Sequence, residues 1–132
     1  MSVIEEAIRN KLLNDANVSA LVGTRIYTNE IPQKPTYPVI LYEQINSERD
    51  FTLQGPSGIV TTSIQIRAYD SNYSGVKDLT TKIRQVLNGL TETILGVNIF
   101  GIFLQNESDE YDEDLEINST ILDYSISHDE VL

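Results

Sequence analysis

The sequence predicts an α+β fold in which two helices pack on a mainly antiparallel sheet of four to five strands. Two segments carry apolar residues at helical intervals, and four others have the length and composition of strands. Their order along the chain is helix, strand, strand, helix, strand, strand, which favours segregated helices over a parallel α/β sheet. The 132 residues suit one compact domain, so we expect residues 1–132 to form a single domain.

The first helix is predicted near the beginning of the chain. Ser2 and Glu5 have the spacing of a capping box, and the apolar residues of VIEEAIRNKLL recur at helical intervals to about Asn14. NVSALVG then predicts a short helical turn, with Asn17 as its N-cap and Gly23 as its end. A short strand is expected next, near Arg25.

Two neighbouring strands are predicted in the middle of the chain. VILYEQIN, which begins at Val39, is apolar on both faces and indicates a central place in a sheet. Residues 59–69 alternate apolar and polar side chains with a period of two, as a half-buried strand does. We expect these two strands to pair.

The connection between them, SERDFTLQGPSG, is too long for a tight hairpin and predicts a long inter-strand arm. Its glycines and proline have turn chemistry, and neither a lysine nor a helix follows to make a phosphate-binding loop. We expect assembly contacts in the arm, although its aromatic side chain would serve equally well to pack the arm on its own sheet. The predicted contact residues are Arg49, Asp50, Phe51, Gln54, Gly55 and Pro56.

The second long helix and the last strands are the clearest elements of the sequence. From Val76 to Leu90 the apolar residues keep the i, i+3, i+4, i+7 spacing of an amphipathic helix, which Gly89 is suited to end. NIFGIFLQNE and INSTILDYSISH then predict two strands. The segment between them should be a solvent-exposed hairpin connection.

The charges are unevenly distributed. The formal net charge is −11, yet all nine Lys and Arg residues lie at or before Arg84, where nine acidic residues balance them. Residues 85–132 therefore carry the whole net charge. This distribution excludes a basic footprint for nucleic acid phosphates. Neither an export signal nor an apolar run long enough for a bilayer is present, so we expect no membrane contact.

Seven carboxylates lie in the ten residues from Glu107 to Glu116. An EF-hand loop would need a glycine at its sixth position, which is absent, so only weak cation binding remains open beside a solvated loop of repelling charges. The carboxylates considered as candidate functional residues are Glu107, Asp109, Glu110, Asp112, Glu113 and Asp114.

Catalysis is not supported by the sequence. His128 is the only histidine, the chain has no cysteine, and no nucleophile elbow is present. We therefore expect a surface histidine near the chain end, no enzymatic activity and no cofactor or metal.

The succession ANVSALVGTRIYTNEIPQKPTYPVILYEQI, SERDFTLQGPSGIVTTSIQIRAYD, IRQVLNGL, DEYDED and ILDYSIS resembles the tail-completion family of long-tailed phages, also called tail terminator or head-tail joining proteins. The resemblance spans almost the whole chain and lies in the order of weak motifs. It implies a non-enzymatic virion structural protein that forms a ring, usually of six subunits, at the head-proximal end of the tail tube.

The resemblance also implies the partners and the location. The expected partners are other copies of the chain, the tail tube protein, and the head connector or a head-completion protein, with DNA only as passing cargo. In a ring that DNA traverses, the six candidate carboxylates from Glu107 to Asp114 would face the channel and repel phosphates. The expected location is the head-tail junction of the virion, after assembly in the host cytoplasm. An alternative is an acidic DNA mimic that inhibits a nucleic-acid-binding protein, although mimicry requires carboxylates spread along a surface.

Overall fold

A computed structural model describes residues 3–52 and 55–130, with side chains for residues 4–49 and 58–130. This part of the chain contains three helices and six strands. The helices are α1 (Val3–Leu13), α2 (Ala16–Val22) and α3 (Tyr73–Leu87). The strands are β1 (Ile26–Thr28), β2 (Val39–Thr52), β3 (Gly55–Asp70), β4 (Glu92–Ile94), β5 (Val97–Asp112) and β6 (Ile117–Asp129).

The strands form one sheet in the order β1-β2-β3-β6-β5-β4. Only the β1–β2 pair is parallel, so the predicted mainly antiparallel α+β fold is confirmed. The predicted strand and helix numbers are slightly low. The unpredicted strand is the three-residue β4, because an element of this length leaves little periodicity in a sequence. The short helix α2 lies where NVSALVG predicted a helical turn, which was not counted as a helix.

The three helices cover one face of the sheet and enclose the main core. Ile64 and Ile66 of β3 and Leu122 and Ile126 of β6 are buried against the apolar stripe of α3. Tyr124 lies in the same core, and its hydroxyl donates to Asn88 Oδ1 at 3.0 Å. Burial raises the pKa of Tyr124, so this hydroxyl stays protonated as a hydrogen-bond donor.

The helix ends show how local chemistry sets the boundaries. Asp15, rather than the expected Asn17, caps α2, because its carboxylate accepts the Val18 amide at 3.0 Å. Gly23 ends α2 with a φ of 60°. Helix α3 ends at Leu87, shortly before a glycine with positive φ, as expected. In the described part of the chain no helix is long and apolar enough to span a bilayer.

The predicted central place of β2 holds for only part of its length. Residues 40–42 lie between β1 and β3, and both of their faces are buried. Beyond Tyr42, β2 is an edge strand within the described chain, because β1 ends at Thr28. The run of apolar residues at the beginning of β2 therefore indicates a central position only for the first residues of the strand.

The predicted irregular arm is wrong for the residues that the structure describes. Strands β2 and β3 continue as a hairpin to the pair Thr52–Gly55, with two register shifts along the way. Gln54 lies outside the described residues. Strand pairing beyond the core does not require alternating apolar side chains, so this part of the sequence carried no strand pattern. Its glycines and proline were therefore interpreted as a loop.

The acidic segment is also more regular than expected. Residues 107–112 belong to β5, and only residues 113–116 form the turn to β6. The predicted exposure of the segment is confirmed. Because strand side chains alternate between faces, the carboxylates are divided between the two faces of the sheet instead of crowding in one loop.

Candidate assembly surfaces

The two long hairpins extend toward opposite ends of the sheet. Strand β3 pairs with β6 from Ile59–Asp129 to Asp70–Asn118. The β2–β3 hairpin continues past the first of these pairs, and the β5–β6 turn lies past the second. The domain therefore presents two well separated ends, each formed by a hairpin.

An ion pair ties the base of the β2–β3 hairpin to the end of β6. Arg49 donates to Glu130 Oε1 through Nη2 at 2.7 Å and through Nε at 2.9 Å. This hydrogen bond lowers the pKa of Glu130 and raises that of Arg49. The Glu130 amide also donates to Gly58 O at 3.0 Å. Arg49 thus anchors the hairpin within its own subunit.

The other residues predicted as arm contacts are less fully described. Phe51 and Pro56 face each other in the backbone register, and Gly55 pairs with Thr52. The side chains of residues 50–57 lie outside the description. Their role in assembly therefore stays a prediction.

A partly buried chain of hydrogen bonds connects β2, β3 and β6 beside the apolar core. Gln44 Nε2 donates to Ser47 Oγ at 3.0 Å, Ser47 Oγ lies 2.9 Å from Thr62 Oγ1, and Thr62 Oγ1 lies 2.7 Å from His128 Nε2. His128 Nδ1 lies 2.6 Å from its neighbour's carbonyl oxygen, Asp129 O. Since that oxygen only accepts, Nδ1 carries the proton and Nε2 accepts from Thr62.

The expectation of a surface histidine is therefore wrong. His128 is only 6% exposed, and Thr62 is completely buried. The last strand lies next to the central strand β3, so its final residues point into the sheet-helix layer although they are close to the chain end. Both histidine nitrogens have structural hydrogen-bond partners, which fits a role in holding three strands together.

Two carboxylates of the acidic strand face α3 and are neutralised there. Asp109 Oδ1 lies 2.5 Å from Lys77 Nζ and accepts from Thr120 Oγ1 at 2.8 Å. Glu107 lies 3.8 Å from the Arg84 guanidinium. The hydrogen bond from Lys77 holds the pKa of Asp109 below its ordinary value. Burial opposes the charge of Lys77, but the hydrogen bond and charge of Asp109 raise its pKa overall.

The remaining carboxylates of the acidic segment lie on the opposite face or in the turn. Glu110 lies 3.9 Å from the Arg67 guanidinium, and Asp112 accepts the Leu115 amide at 3.1 Å. No ion pair within the described part of the chain involves the turn residues Glu113 and Asp114. The predicted repulsion therefore applies to the turn and only weakly to the strand. The sequence did not reveal which carboxylates are paired, because the basic residues beside them lie far away along the chain. These residues are Arg67, Lys77 and Arg84.

A groove lies beside this turn, which we name the tip groove. One wall is formed by residues 31–37, the other by residues 110–115, and the base includes Tyr69, Ile117 and Ser119. Its volume is about 930 Å³. Sequence reasoning missed the groove, because its walls are more than seventy positions apart and no local pattern connects them.

Both edges of the sheet are open over much of their length. Strand β4 pairs with β5 only from Val97 to Ile99, and no described strand lies on the outer side of the rest of β5. Phe103, which is 56% exposed, lies against Gly101, where an added Cβ would come within 2.8 Å of its ring. Within the described residues, no group of His, Cys, Asp or Glu side chains is arranged to hold a metal ion.

The profile of the family described as Tail completion protein gp17 matches residues 6–129. The chain belongs to the tail completion protein gp17 family. The tail completion protein is therefore a structural component of a phage-like virion tail, in agreement with the resemblance in the sequence. The match covers nearly all of the described chain, including both hairpins and the tip groove.

A solved structure has the same fold. The tail completion protein is similar to a chain in the virion of a native gene transfer agent particle, with a TM-score of 0.80 and 15% sequence identity. The similarity covers 96% of the tail completion protein and 95% of that chain. A comparison with curated proteins found no match.

Proposed function

We propose that the tail completion protein forms a ring, a homohexamer, that caps the head-proximal end of the tail tube and joins the tail to the head connector. The observation that carries this proposal is the position of the two hairpins at opposite ends of one sheet. A protein at a junction must contact a different neighbour at each end. The separated hairpins supply two such contact regions on one small domain.

The ring itself requires a heterologous contact, in which one surface of each subunit meets a different surface of the next. The open edges of β2 and β5 lie on opposite sides of the sheet and are two different surfaces of this kind. The β2–β3 hairpin extends beyond the end of the β3–β6 pairing, and its contact residues are proposed to engage the adjacent subunit or the tail tube protein. The partners are thus other copies of the chain, the tail tube protein and the connector.

The DNA-mimic alternative receives less support from the charges. A mimic needs free carboxylates along an exposed surface. In the acidic strand, Glu107, Asp109 and Glu110 lie within 4 Å of cationic groups of the same chain. The carboxylates of the acidic segment that form no ion pair within the described residues lie mainly at the turn, which is too short to imitate a duplex.

Imaging the virion tests the proposed function. We expect a reconstruction of the head-tail junction to contain a ring of six copies of the chain between the tail tube and the connector. A matched particle preparation from a phage that lacks the gene should contain heads and tails that do not join, and purified protein should restore joining. A junction without this chain, or full joining without the gene, would refute the proposal.

A further inference from the structure

The tip groove has the size and lining of a docking site for another molecule. Its volume of about 930 Å³ is at the upper end of the range for ligand pockets, and apolar side chains contribute to both walls. Ile31, Pro35 and Tyr37 lie on one wall, and Tyr111 and Leu115 lie on the other. The groove therefore offers apolar surface from two separate segments of the chain.

The rim of the groove exposes more apolar surface than the fold requires. Leu115 is 67% exposed and Tyr111 is 55% exposed, in a segment that is exposed from residue 105 to residue 116. Such side chains gain free energy when a partner removes them from water, at roughly 25 cal/mol per Å² of apolar area. Exposed apolar side chains beside a groove are typical of a binding surface.

The charges of the groove favour a basic occupant. Glu110, Asp112 and Glu113 lie on the wall formed by the β5–β6 hairpin, against Lys34 and Arg67 elsewhere in the lining. Arg67 donates from Nε to Gln65 at 3.0 Å and lies 3.9 Å from Glu110, so it is already engaged within the sheet. The hairpin wall keeps an excess of negative charge.

We propose that the tip groove binds an extended segment of a different protein, in which Lys or Arg residues alternate with aliphatic residues. The aliphatic side chains would cover the apolar lining, and the cations would pair with Asp112 and with Glu110, whose 60% exposed carboxylate lies 3.9 Å from Arg67 and stays open to a second cation.

A second copy of the chain is a poor occupant. Each copy has a formal net charge of −11. Five of its cationic side chains form ion pairs within the described part of their own subunit, namely Lys11, Arg49, Arg67, Lys77 and Arg84.

This inference deepens the proposed function and rests on it only for the source of the segment, which would be a neighbouring tail or connector protein. Binding by the isolated protein is measured separately from joining of virions. A failure of peptide binding is thus distinguishable from the absence of a ring at the junction.

The test uses a short capped peptide of alternating lysine and valine, titrated into the full-length protein at low ionic strength and followed by NMR. We expect saturable shifts of the amides of Tyr69, Ile117 and Ser119 at the base of the groove. The double variant Glu110→Gln/Asp112→Asn should weaken binding by about tenfold, since each exposed ion pair contributes up to about 1 kcal/mol. Leu115→Ser should also weaken it.

The matched control is Glu48→Gln/Asp78→Asn, which makes the same change of net charge at exposed positions away from the groove. It should change affinity less than about threefold, since distant exposed charges are screened, and a peptide with glutamate in place of lysine should not bind. Equal weakening by both double variants, or no binding of the lysine-valine peptide, would overturn the proposal. So would self-association of the protein that Leu115→Ser abolishes, because the occupant would then be a second copy.

Discussion

Lys77 of α3 and Asp109 of β5 form an ion pair with a distance of 2.5 Å between Nζ and Oδ1. The same ammonium group lies 5.4 Å from the centre of the Tyr73 ring, and Asp109 also accepts from Thr120. Strand β5 has no neighbour on its outer side at this point within the described chain. The pair therefore fastens a helix to the open edge of the sheet.

The Lys77–Asp109 pair predicts a specific dependence of stability on pH. Its hydrogen bond lowers the folded-state pKa of Asp109, so the unfolded chain binds a proton more readily than the folded one. The stabilisation is present above the unfolded Asp pKa of about 3.9 and is lost as pH falls through the lower folded value. Asp109→Asn should reduce the free energy of unfolding at pH 7 and flatten its decline in acid.

Urea denaturation at pH 7 and at about pH 3 measures this effect, which should stay below about 1 kcal/mol because both partners are partly exposed. Asp78→Asn is the matched control, since Asp78 is exposed on α3 and belongs to none of the ion pairs above. A variant at Asp109 whose stability declined with pH in parallel with the unmodified protein would contradict the assignment.

The elements that the sequence predicted well are those whose pattern reflects a buried face. Val60, Ile64 and Ile66 alternate with polar residues because β3 packs one face on the helices. The acidic half of β5 lacked this alternation of apolar and polar residues, since its side chains are exposed to solvent on both faces of the sheet. Its strand conformation comes from pairing with β6, a contact that a local sequence pattern does not contain.

The candidate sites were harder to predict than the fold. Residues 31–37 and 110–115 form one groove only because β1–β2 and β5–β6 connections meet at the same end of the sheet. The position of His128 near the chain end suggested exposure, whereas the pairing of β6 with β3 buries it. In both cases the decisive information is the strand order, which composition and periodicity do not determine.

The buried hydrogen bond between Thr62 and His128 predicts a marked loss of stability on Thr62→Val. Valine has nearly the same shape but leaves His128 Nε2 and Ser47 Oγ without this hydroxyl. An unsatisfied buried acceptor costs about 1–3 kcal/mol, and urea denaturation should show a loss in this range.

Thr61→Val provides the matched control for Thr62→Val. The two threonines are adjacent and point to opposite faces of β3, and Thr61 is partly exposed. Valine at this position should leave stability almost unchanged. Equal losses for the two variants would show that the substitution acts through strand packing and not through the histidine.

The outer part of the β2–β3 hairpin is predicted to serve assembly more than folding. Residues 50–52 and 55–57 lie beyond the pairing of β3 with β6, and replacing residues 50–57 by Asn-Gly removes no residue of the described core. We expect an unchanged melting temperature, measured by circular dichroism, together with a loss of head-tail joining. Arg49→Gln, which breaks the ion pair to Glu130 at the base, provides a comparison for anchoring alone. If the shortened protein were unfolded, the outer hairpin would be required for folding and the prediction would be wrong.

The turn of the acidic hairpin supplies the last prediction. We propose that Glu113 and Asp114 face the path of the passing DNA, where their carboxylates repel phosphates and several subunits add their fields. Glu107 and Asp109 contribute little to this field, because Arg84 and Lys77 lie beside them. The variant Glu113→Gln/Asp114→Asn should join tails to heads normally and slow DNA ejection at low salt.

Salt separates this long-range effect from a direct contact. The Debye length is about 10 Å at 0.1 M salt, so the difference between variant and unmodified virions should shrink as salt is raised. Glu6→Gln/Asp78→Asn makes the same charge change at exposed positions of the helices, away from the proposed ring contacts, and should leave ejection unaffected. If ejection by the Glu113→Gln/Asp114→Asn virions matched that of unmodified virions at every salt concentration, the turn would point away from the channel and its charges would serve solubility alone.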